Sequence, residues 1–145
     1  MKPLKTMMVI GALGLALAVA VGAAGCEGEI ANFPTTPDPV IVTDTFTGRL
    51  TVNGAQTHNV FTGATGLVTA TIASLGETVP EKVGFSMGTL SSVGTCTVIV
   101  HNDNAVVQTA LVGTVANLNG TLCVRIFDVG MLTTPVDYTL TVSHP

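Results

Sequence analysis

Threonine and aliphatic residues take turns along most of the chain. From Asp44, the residues Phe46, Gly48, Leu50 and Val52 fall on one side and Thr45, Thr47, Arg49 and Thr51 on the other. A period of two sends successive side chains to opposite faces of pleated backbone, so this stretch reads as a half-buried strand. Asn53-Gly54 comes next, a dipeptide that tolerates positive φ and predicts a tight hairpin turn, with Thr57 to Phe61 as the return strand. Gly66 to Leu75 repeats the pattern with Val68, Ala70 and Ile72 inward and Thr69 and Thr71 outward. Val83, Phe85 and Met87 form another inward set, and Cys96, Val98 and Val100 a further one. Asn102-Asp103-Asn104 is expected to turn the chain before an apolar run from Val106 to Val112. Leu122, Val124 and Ile126 mark one more strand, and Tyr138, Leu140 and Val142 the last.

Helix signals are nearly absent from this region. Each one-faced sheet has to bury its apolar side against another layer, so the pattern predicts an all-β fold over residues 44–145. The expected architecture is a two-layer antiparallel β-sandwich of the jelly-roll or immunoglobulin-like kind, with seven to nine strands. Twenty-two threonines between Cys26 and Pro145 fit this reading, because a β-branched side chain loses little in a strand and shows its hydroxyl to water.

The first 43 residues follow another logic. Lys2 and Lys5 precede an uncharged, mostly apolar run from Met7 to Gly25, which ends in the small residues Ala23, Ala24 and Gly25 before Cys26. This is the layout of a signal peptide over residues 1–25, helical in its apolar part. Ala23-Ala24-Gly25-Cys26 resembles the processing motif of bacterial lipoproteins. The resemblance implies diacylglycerol on the sulfur of Cys26, cleavage in front of it, and a membrane-anchored palmitate-type lipoprotein of the cell envelope. Glu27 directly after Cys26 resembles lipoproteins passed on to an outer membrane. Cleavage by the ordinary signal peptidase, or retention of the 19-residue run as a membrane helix, are the alternatives. Residues 26–43 carry Pro34, Pro37 and Pro39 and no apolar period, so they read as an extended tether. At about 3.1 Å per residue it would reach up to roughly 40 Å. Phe33, alone in that segment, is expected to pack on the domain.

Cysteine parity bears on the same question. If Cys26 takes the lipid, Cys96 and Cys123 are left as a pair for a disulfide in an oxidising compartment. Two buried free thiols are the other reading. There is no CxxC spacing that would suggest redox or metal chemistry.

Charge narrows the partners. Beyond the leader, Arg49, Lys82 and Arg125 stand against nine acidic residues, leaving about six net negative charges with histidine neutral. Three scattered cations make no phosphate track, which argues against nucleic acid. The same scarcity argues against electrostatic docking on anionic lipid headgroups, leaving the lipid anchor as the expected contact with the membrane.

Phe46 to Thr51, His58 to Phe61, Gly66 to Ile72, Gly120 to Ile126 and Tyr138 to Val142, taken together, resemble the bacterial pre-peptidase C-terminal domain over Asp44 to Ser143. That resemblance implies a β-sandwich attached to secreted proteases and other extracellular enzymes, with substrate-binding, stabilising or secretion-related roles. Val83 to Met87 departs from the family in lacking its Asp-rich strand.

No motif announces catalysis. Asn102, Asp103 and Asn104 are weak calcium candidates, with Asp128 and Asp137 as possible partners if their loops meet; a lone carboxylate is a poor start for a cation that wants six to eight oxygens. His58, His101 and His144 lack the spacing that presents two zinc ligands on one face. Ser86, Ser91, Ser92 and Thr95 have neither a nucleophile elbow nor a paired base, and Glu77 and Glu81 read as a solvated loop. With no tryptophan, a sugar platform is weakened. Phe127 runs out of phase with Val124 and Ile126, so it is expected on the outer face as a modest patch for a partner. The expectation is therefore a non-catalytic, membrane-tethered extracytoplasmic binding or structural module without cofactor. Its ligand would be a protein or polysaccharide. The alternatives are an accessory subunit docking a secreted hydrolase or a small metal-dependent enzyme.

Overall fold

The computed structural model describes residues 37–76, 82–117 and 119–145; Cys26, the leader, most of the tether, Glu77 and Glu81 lie outside them. Eight strands follow one another: β1 (Val42–Leu50), β2 (Ala55–Thr62), β3 (Gly66–Leu75), β4 (Val83–Leu90), β5 (Cys96–Ala105), β6 (Ala110–Val115), β7 (Gly120–Phe127) and β8 (Val136–His144). They form two antiparallel four-stranded sheets, ordered β1-β8-β3-β6 and β2-β7-β4-β5. The sheets pack as a sandwich, with β1 beside β2 at one open side and β5 beside β6 at the other. This is the strand order of a jelly roll, in which nearly every connection crosses between layers. Among the described residues, β4 and β5 are the only consecutive strands that pair within a sheet.

The alternation read in the sequence builds the core. Leu50, Val68, Ala70, Ile72, Leu140 and Val142 from one sheet face Val60, Phe85, Val124 and Ile126 from the other, all at 0–1% exposure. Full burial of each large aliphatic side chain contributes about 1.5–3 kcal/mol, so this shared layer is what holds the two sheets together.

Three local expectations are corrected. Asn53 does adopt positive φ, at 55°, and the Gly54 N–H donates to the Thr51 carbonyl at 2.9 Å. The turn is real but the hairpin is not: β1 pairs with β8 and β2 with β7, so the chain passes between sheets there. Val52 consequently leaves the strand and is 40% exposed.

Asn102, Asp103 and Asn104 do not turn the chain either. They lie within β5, where Val83 pairs with Ala105 but Phe85 with Asn102, so the three residues straddle a β-bulge. The turn comes after Ala105, where Gln108 takes φ of 71°, and the following strand begins only at Ala110.

A second bulge upsets the inward set of β5. Met87 pairs with Val100 and Gly88 with Val98, leaving Ile99 unmatched and exposed. Val98 is thereby turned partly to solvent while Val100 still packs on the core.

Candidate functional site

β4 is buried on both faces: Val83, Phe85 and Met87 look into the core, yet Gly84, Ser86 and Gly88 are also covered. Their cover comes from the outer face of the β2-β7-β4-β5 sheet. On β7, Cys123, Arg125 and Phe127 alternate with core Leu122, Val124 and Ile126, and so project outward. Phe127 is paired with Gly84, and a Cβ on that glycine would run into the Phe127 ring. The absence of a side chain at position 84 leaves room for the ring to pack there. Arg125 lies 5.3 Å from the centroid of the same ring, in cation–π contact. Phe127 is thus on the outer face, as its phase predicts, but half-buried and used as a floor.

Two residues along on the same face, four polar residues align across the whole sheet. Thr57 on β2 pairs with Arg125 on β7, Arg125 with Ser86 on β4, and Ser86 with His101 on β5. Arg125, His101 and Thr57 are exposed, whereas Ser86 is 2% exposed and its Oγ has no hydrogen-bond partner. Among the described residues Arg49 forms an ion pair with Asp137 at 3.7 Å and His144 Nε2 lies 3.2 Å from Asp44 Oδ2; Arg125 meets no carboxylate there.

The far side of the row is pinned by a disulfide. Cys96, at the start of β5, is bonded to Cys123 on β7, with their Cα atoms 5.9 Å apart. The bond draws β5 over the outer face and leaves Cys123 fully buried. Arg125, Asn59, Thr57 and Cys96 line a shallow depression beside it. A disulfide of this kind belongs to an oxidising, extracytoplasmic compartment.

The remaining candidates are dispersed. His58 is inside the sandwich, its ring 4.7 Å from that of Phe46 and its Nε2 2.8 Å from the Tyr138 hydroxyl; burial lowers its pKa. His144 is buried at the end of β8. Ser91 and Thr95 close the β4–β5 turn, where the Thr95 N–H donates to Ser91 Oγ at 3.0 Å. Ser92 is exposed in the same turn.

The calcium candidates are not gathered. The Asn104 N–H donates to Asn102 Oδ1, which serves the bulge. Asp137 is engaged by Arg49 on the other sheet. Asp128 accepts from the backbone N–H groups of Asn53, Gly130, Met131 and Leu132 at 2.8–3.1 Å. Desolvation alone would raise its pKa, but these four donors together hold it below the ordinary carboxylate value. Among the described residues no three His, Cys, Asp or Glu side chains come together as a metal site.

Another concavity is an open apolar cleft between β5 and β6, lined by residues such as Met87, Val100, Val112 and Leu122. It contains no titratable side chain.

Sequence reasoning did not single out Arg125. The signal was present in the Arg125-Ile126-Phe127 spacing, which puts cation and ring on one face of any strand.

No family model matches the chain, and no curated protein is similar to it. Solved structures share the fold. A mitogen from Yersinia pseudotuberculosis superposes with a TM-score of 0.52 at 13% identity, over 73% of this chain and 88% of that one. PliG from Aeromonas hydrophila, a periplasmic lysozyme inhibitor of g-type lysozyme, superposes at 0.50 with 14% identity, over 70% of this chain and 84% of that one.

Proposed function

We propose that this chain is a non-catalytic binding module of the cell envelope, anchored through Cys26, which docks a protein with the outer face of the β2-β7-β4-β5 sheet. The observation that carries the reading is the Arg125 guanidinium set over Phe127, itself laid on Gly84. An aromatic ring and an arginine fixed on a strand, not a loop, present area and charge with little entropy left to lose. Such residues dominate the energetics of protein interfaces. The disulfide makes the platform stiffer and agrees with a location outside the cytoplasm.

The partner this reading favours is a secreted or envelope hydrolase. Two likenesses support it: the resemblance to pre-peptidase C-terminal domains, and the jelly roll shared with a periplasmic lysozyme inhibitor.

A photo-crosslinking amino acid at Ala55, exposed on β2 and paired with Phe127, tests the docking face in intact cells. The control is the same group at Thr47, exposed on β1 of the other sheet. A discrete protein adduct from Ala55 and none from Thr47 is expected; equal labelling from both overturns the choice of face. The mass of the membrane-extracted chain reports the lipid on Cys26.

A further inference from the structure

We infer that the row Thr57–Arg125–Ser86–His101 is a receptor for a carboxylate group of the partner, an inference that rests on the docking face proposed above. The row runs perpendicular to the strands across all four of them, which at about 4.8 Å per strand makes a track of roughly 14 Å. Every member offers a donor: two hydroxyls, a guanidinium and an imidazole N–H. Hydrogen-bond acceptors that carry full charge are missing from it. Asp103, two residues beyond His101 on β5, sits at the bulge, and Asp128 just past β7 is occupied by four backbone N–H groups.

Ser86 gives the row its specificity. A buried hydroxyl without a partner is costly, and native proteins seldom keep one. It lies between two exposed side chains, the Arg125 guanidinium, which attracts anions, and the His101 imidazole, which offers an N–H. A carboxylate drawn to Arg125 displaces that long side chain slightly and brings an acceptor oxygen over Ser86 Oγ. The guanidinium supplies two parallel N–H donors, a geometry that fits a carboxylate and not a neutral amide.

A protein partner can present a carboxylate from Asp or Glu side chains or from its C-terminus, and the test separates these sources. The full-length protein in neutral detergent is titrated against peptides bearing a neutral fluorophore at the N-terminus, with binding read by anisotropy. Amidated tetraglutamate offers side-chain carboxylates only, free-acid tetraglutamine the terminal one only, and amidated tetraglutamine neither.

The inference expects at least one of the first two to bind and the third not to, with the binder naming the source. Arg125→Gln is expected to weaken that binding by about tenfold, in keeping with a charge-assisted pair. Ser86→Ala is expected to weaken it severalfold without lowering the melting temperature. The inference is overturned if neither carboxylate peptide binds better than amidated tetraglutamine, or if both variants bind as the wild type does. A cross-link from Ala55 that persists in Arg125→Gln would retain the docking face and discard the carboxylate.

Discussion

The Tyr138 hydroxyl and His58 Nε2 are 2.8 Å apart and belong to opposite sheets of the sandwich. Tyr138 is 2% exposed and leans over Gly48, where a Cβ would collide with the phenol. The bond satisfies a hydroxyl that would otherwise be stranded in the core. Burial lowers the His58 pKa below the ordinary 6.5. The unfolded chain therefore takes up a proton before the folded one does as pH falls through 6.5. Stability from this group is full above that pH and declines below it, until the folded pKa is passed. Thermal melts between pH 8 and pH 5 should fall for the wild type and flatten for His58→Gln. Tyr138→Phe should cost about 1–2 kcal/mol at neutral pH.

Gly84→Ala should destabilise by about 1–3 kcal/mol, since its methyl enters the Phe127 ring. Combining it with Phe127→Ala should recover part of the loss. A urea double-mutant cycle measures the coupling, and strict additivity would mean that ring and glycine do not meet.

Replacing both Cys96 and Cys123 by Ala opens a loop that spans 27 residues. The chain-entropy relation gives a loss of about 3–4 kcal/mol. Unfolding free energies from urea titrations of the wild type with and without reductant should differ by the same amount, and those of the double variant should not respond to reductant.

Asp128→Ala would leave the N–H groups of Asn53, Gly130, Met131 and Leu132 without their acceptor. A loss of about 0.5–1.5 kcal/mol is expected at neutral pH, since water can reach most of these donors. Because the folded pKa is depressed, the wild type keeps this contribution above pH 4 and loses it as pH falls through the folded value. Chemical denaturation at pH 7 and at pH 2.5 should therefore show the variant's deficit shrinking in acid.

These outcomes depend on relationships of differing visibility in the sequence. Val68, Ala70 and Ile72 against Thr69 and Thr71 announced β3 with its bounds, because alternation along a strand is a local property. Phe127 was legible as outward by phase alone. Strand partners were not: Asn53-Gly54 encodes a turn, and nothing in those two residues says whether the next strand joins the same sheet. The bulges at Asn102–Asn104 and Ile99 were hidden for a related reason, since a bulge exists only relative to its partner strand. The row that brings Thr57, Arg125, Ser86 and His101 together was likewise invisible, as its members come from four strands whose register is set by the sheet.

The central claim is that binding takes place on that row. Amide chemical shifts of the isotopically labelled full chain, followed while the tighter-binding carboxylate peptide is added, test it most directly. The account predicts the largest changes at Thr57, Ser86, His101 and Arg125, with β1, β3, β6 and β8 quiet. Changes centred on the β1-β8-β3-β6 sheet, or on the apolar cleft between β5 and β6, would contradict it.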